Sequence, residues 1–304
     1  VLLSLLLGAC GGDGAADDGA TVVVSTSILG DVVTEILGDG ATVVTIIPPG
    51  TDPHEFQLSS AAAAQIGSAD LVVLNGLGLD SAVAEVAASA AADGVPVLEI
   101  APLVDPLPFA GDAHADEEDG DHAEDEEGLD PHFWHDPWRM AVAVERIVEA
   151  LIEHVDGVDP EAVEARAGDY TAEMLAVDEE LAAAFFSVPA GQRVMVTNHD
   201  ALGYLADRYD IQVLGVVIPG GELGEPSSAE LKELVDTLRS SQVRAIFADA
   251  VNSTALAEAV AAELGDQIEV ISLFTDSLDP DGGPAATYLG MLRYNGEAVL
   301  DTMR

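Results

Sequence analysis

Imidazole nitrogens and carboxylate oxygens bind divalent metals, and this sequence places several of them just beyond predicted strands. His54 closes the loop Pro48-Pro49-Gly50-Thr51-Asp52-Pro53-His54. His132 and His135 share the stretch Asp130-Pro131-His132-Phe133-Trp134-His135-Asp136-Pro137. The tripeptide Asp-Pro-His therefore occurs twice. Proline fixes φ just before each histidine, and an Asp two residues earlier can accept an imidazole N–H, which sets the tautomer and stiffens the ring. Asp52 and Asp130 are the candidate supports. His199 sits in Thr197-Asn198-His199-Asp200, and Asp276 in Phe274-Thr275-Asp276-Ser277-Leu278, each at the end of a predicted strand. A lone loop histidine is usually a surface residue, and a lone Asp after a strand is usually a turn residue. Three imidazoles and one carboxylate together suit a tetrahedral N/O site. His135 and Asp136 are a spare ligand or supports; His135 is disfavoured as a ligand because it would share one ion with His132 from a single turn.

The elements that must position these residues alternate. Val22–Thr26, Ala41–Ile47, Asp70–Leu74 and Val95–Ile100 read as strands, separated by helices over Asp31–Leu37, Ser59–Ser68 and Asp80–Ala92. The alternation restarts with strands at Arg193–Thr197, Ile211–Val217, Val243–Ala248 and Ile268–Leu273. Helices over Ala201–Tyr209, Ser227–Ser241 and Thr254–Leu264 separate them, and Pro284–Met303 closes the chain as a helix. Continuous Val/Ile runs between helices indicate parallel strands covered on both faces. The fold class is α/β, with two lobes of mostly parallel sheet. Between them, Asp159-Pro160 is an N-cap followed by Pro at the first helical position. Val163, Ala167, Tyr170, Met174, Val177, Leu181 and Ala184 then recur at alternating spacings of four and three. This predicts one amphipathic helix to about Phe186, roughly 40 Å long. An earlier helix covers Met140–His154. The organisation expected is a leader and tether over 1–20, an N-terminal lobe over 21–158, a rigid linker over 159–188 and a C-terminal lobe over 189–304. In open α/β sheets ligands bind beyond the carboxyl ends of strands, so two residues from each lobe would converge on one interlobe cleft.

The chain has 304 residues, 56 acidic and 10 basic, for a formal net charge of -46. Phosphate would be repelled everywhere, which excludes nucleic acid as a partner. The only lysine is Lys232. This acidity fits either a high-salt habitat or a GC-rich, Ala-rich composition, which the response of the melting temperature to KCl distinguishes. Residues 112–127, DAHADEEDGDHAEDEE, hold ten carboxylates with His114 and His122. They read as a solvated loop spanning 112–128 or as a weak metal-collecting arm. The single cysteine, Cys10, follows the apolar run VLLSLLLGA and precedes GGDGAADDGA. The run is too short to span a membrane and resembles a secretory h-region. Leu7-Gly8-Ala9-Cys10 resembles the bacterial lipobox, which implies acylation of Cys10 and an extracytoplasmic, lipid-anchored protein; the alternative is a buried cysteine in a first strand.

Taken together, Asp52-Pro53-His54-Glu55-Phe56, Asp130-Pro131-His132-Phe133-Trp134 with Asp136-Pro137, Asn198 through Leu205, Glu225-Pro226-Ser227 and Thr275 through Leu278 resemble a known family. So does the ending, from Gly282-Gly283-Pro284 through Thr287-Tyr288 to Arg293-Tyr294-Asn295. The family is the metal-binding lipoproteins of zinc and manganese ABC importers, solute-binding cluster A-I. The resemblance covers nearly everything after residue 20. It implies two α/β lobes on a long rigid helix, the metal between the lobes, and ligands at His54, His132, His199 and Asp276. It also implies a membrane permease with its ATPase as partner, and leaves open a metallochaperone. His135 departs from the family, which commonly has Leu there. The acidic loop's position is typical of the zinc branch, but its low histidine count is not.

Manganese members carry a carboxylate at the third ligand position, whereas this chain has His199. Three imidazoles favour Zn2+, with Mn2+ or Fe2+ as the alternatives. A zinc hydrolase would keep three protein ligands and an open water position, whereas Asp276 fills the fourth; H-E-x-x-H and G-x-S-x-G motifs are absent from the sequence. The expected role is capture and delivery without bond chemistry, so the chain is not expected to be an enzyme. A surface lipoprotein with an adhesin role is the other alternative.

Overall fold

The computed structural model describes residues 19–110 and 128–304 apart from 219–225, 240, 242, 266–267 and 281. Cys10, His114, His122 and Glu225 lie outside the described residues. The N-terminal lobe runs β1 (Thr21–Val24), α1 (Ser27–Leu37), β2 (Thr42–Thr45), α2 (Ser60–Gly67), β3 (Leu71–Leu74), α3 (Ser81–Ala92) and β4 (Val97–Glu99). Its sheet has the order β2-β1-β3-β4, and every pairing is parallel. Two long helices follow, α4 (Pro137–His154) and α5 (Pro160–Phe186). The C-terminal lobe runs β5 (Val194–His199), α6 (Gly203–Tyr209), β6 (Gln212–Ile218), α7 (Ser228–Arg239), β7 (Ala245–Asp249), α8 (Ala255–Leu264), β8 (Glu269–Leu273) and α9 (Tyr288–Thr302). Its sheet repeats the plan as β6-β5-β7-β8, again all parallel. In each lobe the first strand has its sequence successor on one side and the third strand on the other. That reversal opens a crevice at the carboxyl ends of the two central strands.

Some elements begin elsewhere than the sequence pattern suggests, for identifiable reasons. α1 starts at Ser27 rather than Asp31, because Thr26 caps it, its Oγ1 accepting from Leu29 N at 3.3 Å. α4 starts at Pro137 rather than Met140, because Asp136 is its N-cap, accepting from Trp138 N at 2.9 Å, and Pro137 is its first residue. The closing helix starts at Tyr288 rather than Pro284, where Thr287 caps it.

α5 buries the expected stripe of Val163, Ala167, Tyr170, Met174, Val177 and Leu181, ending on Phe185 rather than Ala184. It packs against α1, α4 and α9 and so touches both lobes. Arg166 on α5 donates to the carbonyls of Ile36 and Leu37 at 2.9 and 2.6 Å, stopping the end of α1. Asp178 interrupts the stripe as a buried carboxylate. It accepts from Trp138 Nε1, Arg208 Nε and Tyr209 Oη at 3.2, 2.8 and 3.1 Å, which ties α5 to α4 and α6. One apolar core, including Val24, Trp134, Val177, Tyr204, Leu273 and Met291, runs without a break through both lobes. Separate clusters around Val72 and Val83, and around Val196 and Val260, cover the outer sheet faces.

Candidate metal centre

β5 ends on His199 itself, β8 leads through Phe274 and Thr275 to Asp276, and the loops after β2 and before α4 supply His54 and His132. These four residues, two from each lobe, form the one His/Cys/Asp/Glu cluster with metal-ligand spacing among the described residues. One ligand atom from each lies within 4.8 Å of all the others. His54 Nε2 is 3.3 Å from His132 Nε2, His132 Nε2 is 3.4 Å from Asp276 Oδ1, and His199 Nε2 is 2.9 Å from Asp276 Oδ2. Ligands at about 2.0–2.1 Å from one tetrahedral ion stand roughly 3.3 Å apart, so the cluster has the size of such a site. His132, His199 and Asp276 are buried, while His54 is half-buried. Neither carboxylate oxygen of Asp276 has a well-aligned hydrogen-bond donor among the described residues. A fully buried carboxylate whose nearest polar neighbours are imidazole nitrogens is costly unless a proton or a cation among them balances its charge.

The electrostatics match that use. Burial, with the neighbouring His132 and His199, holds His54 down at about 4 against the pull of Asp276 and Asp52. Its ring is therefore neutral and able to ligate near pH 7. Burial alone would raise Asp276, but the surrounding imidazoles of His199, His132 and His54 outweigh it and keep the carboxyl well below the usual range.

The two Asp-Pro-His repeats differ in use. Asp130 Oδ1 accepts both the His132 backbone N–H at 2.9 Å and its ring Nδ1–H at 2.6 Å, which leaves the Nε2 lone pair facing the centre. Asp52 instead accepts the backbone N–H of His54 at 2.8 Å and shapes the loop rather than the ring. Among the described residues Asp52 makes no bond to an imidazole, contrary to the symmetry of the repeats. His135 is buried beside the centre, but its Nε2 donates to Thr275 O at 3.1 Å, and it is not in the cluster.

Several supports were not singled out by sequence reasoning. Trp134 Nε1 donates to Thr275 O at 2.8 Å. Tyr204 Oη, from the C-terminal lobe, donates to Asp130 O at 2.7 Å and accepts from Leu107 N at 3.0 Å. Asn75, just past β3, donates from Nδ2 to Pro131 O at 3.1 Å. Asp249 closes β7 beneath the Asp276 loop; burial and the nearby Asp276 push it up to about 6. Asn75 and Asp249 carry the same signal that marks His199 and Asp276, a polar side chain at the carboxyl end of a strand. The lobes also meet directly at the centre. Gly50 N donates to Ser277 Oγ at 2.8 Å and to Leu278 O at 3.0 Å, and Leu278 N donates to Ser27 Oγ at 3.1 Å. Gly50 has φ 77°, and a Cβ there would lie 2.7 Å from Pro280 Cγ, so the approach requires glycine.

Known proteins share this plan. The chain is 27% identical over 303 residues to the manganese-binding lipoprotein MntA of Halalkalibacterium halodurans, covering 97% of this chain and 93% of that one. It is 28% identical over 280 residues to the iron-binding protein YfeA of Yersinia pestis, covering 91% and 84%. It is 28% identical over 296 residues to the zinc-binding protein TroA of Treponema pallidum, covering 95% and 90%. The solved structure of TroA superposes with a TM-score of 0.82 over 94% of this chain and 99% of that one, at 24% identity, and shows the same fold. These relatives are named for binding different metals, and none is named as an enzyme. The profile of the family described as zinc-uptake complex component A, periplasmic, matches residues 22–301, and the chain belongs to that family.

Proposed function

We propose that this protein is the solute-binding component of a metal ABC importer that captures Zn2+ between its lobes, through His54, His132, His199 and Asp276, and hands it to a membrane permease driven by its ATPase. The observation that carries the reading is the largely buried cluster of three imidazoles and one carboxylate at metal-ligand spacing, drawn equally from two lobes. Family membership supports the transport role, since relatives include proteins named as metal ABC transporter substrate-binding lipoproteins. Four neutral or singly charged donors at tetrahedral spacing favour Zn2+ over Mn2+, which is suited by more oxygen ligands and higher coordination. Lipid attachment at Cys10 would hold the protein at the outer face of the membrane, with the tether giving it reach. No helix among the described residues is long and apolar enough to cross a membrane.

The continuous core and the direct contacts between Gly50 and Ser277 favour small movements around the ion over wide closure. Relatives named for manganese and iron keep those ions as the competing reading. Competitive titration of metal-free protein decides: Zn2+ binds tighter than Mn2+ and Fe2+, and equal or tighter Mn2+ binding in the presence of Zn2+ overturns the assignment. Elemental analysis of protein purified without added metal gives the second readout.

A further inference from the structure

We infer that Asp249 is a positioning residue for metal capture, acting on the ion only through the loop that carries Asp276. The inference rests on the metal-binding reading above. Asp249 is the last residue of β7 and is 2% exposed. Its Oδ2 accepts from Thr275 N at 3.2 Å, from Asp276 N at 3.3 Å and from the Thr275 hydroxyl. Its Oδ1 accepts from Val251 N at 2.5 Å. One buried carboxylate thus gathers the backbone of the ligand residue itself, the residue before it and that residue's side chain.

Asp249 is not in the ligand cluster, so its contribution is the pose of Asp276. The opposite side of the same peptide segment is held differently. Thr275 O accepts from Trp134 Nε1 and His135 Nε2, both on the His132 segment. The Thr275–Asp276 segment is therefore gripped from the C-terminal lobe by a carboxylate through its N–H groups and from the N-terminal segment by two ring N–H groups through its carbonyl. Only the first grip sits on the N–H of Asp276, where it fixes the start of the ligand side chain. A neutral amide cannot replace it: Asn offers one acceptor oxygen for four donors and turns two donors of its own toward N–H groups.

Removing a support of this kind costs about 10–100-fold in metal affinity. Asp249→Asn should weaken Zn2+ binding by that factor in chelator-buffered titrations of the full chain. The deciding measurement is the same substitution in an Asp276→Ala background. There the loop has no ligand left to position, and Asp249→Asn should change Zn2+ affinity by less than about twofold. A role confined to general stability would give the same loss in both backgrounds, and that result overturns the inference, as does unchanged affinity in the single variant. Should Asp249→Asn fail to fold, Thr275→Val serves in the same cycle. It removes only the hydroxyl donor, should weaken binding with the same dependence on Asp276, and should be rescued by Thr275→Ser; equal losses with and without Asp276 overturn the inference here too. Parent protein that binds no Zn2+ in this titration overturns the metal-capture reading and the inference with it, whereas tight parent binding with an unaffected Asp249→Asn overturns the inference alone.

Discussion

Replacing His135 with Leu separates the buried histidine beside the centre from those that form it. His135 is 1% exposed, its Nε2 donates to Thr275 O, and its Nδ1 has no partner. Burial first, then the neighbouring His132, hold its ring down at about 3, against the pull of Asp276. In the unfolded chain an imidazole takes up its proton near 6.5. Between those values the unfolded state holds one proton more than the folded state. Stability therefore falls as pH falls through that window, at about 1.4 kcal/mol per pH unit. From neutral pH to about 5 this ring alone costs on the order of 2 kcal/mol of folding stability. Leucine binds no proton, so in His135→Leu that loss disappears. At neutral pH Leu also removes a buried nitrogen with no partner, worth roughly 1–3 kcal/mol. Thr275 O meanwhile keeps its bond from Trp134 Nε1. The variant should be at least as stable as the parent at neutral pH and should lose about 2 kcal/mol less on acidification to about pH 5. Urea unfolding of both metal-free proteins in chelator, at the two pH values, reads this directly. An equal acid-induced loss in parent and variant would refute a neutral buried His135. Zn2+ affinity should stay within a few-fold of the parent, because the Nε2 of this ring is turned to a carbonyl.

Three further outcomes follow from the same geometry. His132→Ala removes a buried ligand together with the partner of Asp130 and should weaken Zn2+ binding by at least about 100-fold in competition titrations, far more than His135→Leu. In the metal-free protein the His54 ring should titrate near 4 by NMR, so protonation of His54 should not weaken Zn2+ binding between neutral pH and about 5; a midpoint at or above 6.5 would contradict its burial. Gly50→Ala forces a Cβ into Pro280 at a left-handed backbone position and should lower stability by about 1–2 kcal/mol in urea unfolding. It should also weaken Zn2+ binding, since the same loop leads to His54.

Much of the architecture was legible because it rests on local chemistry. Alternating Val/Ile runs and helical periods marked both lobes, and the Asp159-Pro160 signal with its apolar stripe marked α5 from its first residue to its last. Asp136-Pro137, a signal identical in kind, stands at the start of α4, but the expected helix over Met140–His154 leaves it out. The four candidate ligands were also legible, since each combines a ligating side chain with a loop or strand end. What was not legible is whatever depends on which atoms face each other across the chain. Two identical Asp-Pro-His tripeptides differ in use: the His132 ring Nδ1 bonds Asp130, whereas Asp52 takes only the backbone N–H of His54.

The sequence by itself determined most of the elements, the parallel character of their sheets and the residue types able to hold a divalent ion, because periodicity, capping and donor chemistry are properties of neighbours along the chain. Only the tertiary structure decided that His54, His132, His199 and Asp276 meet within coordination reach, that His135 turns away to Thr275, and that Asp249 grips the Asp276 loop. Those outcomes depend on contacts between residues far apart in sequence. They are fixed by one core packed through both lobes, and no local pattern encodes its geometry.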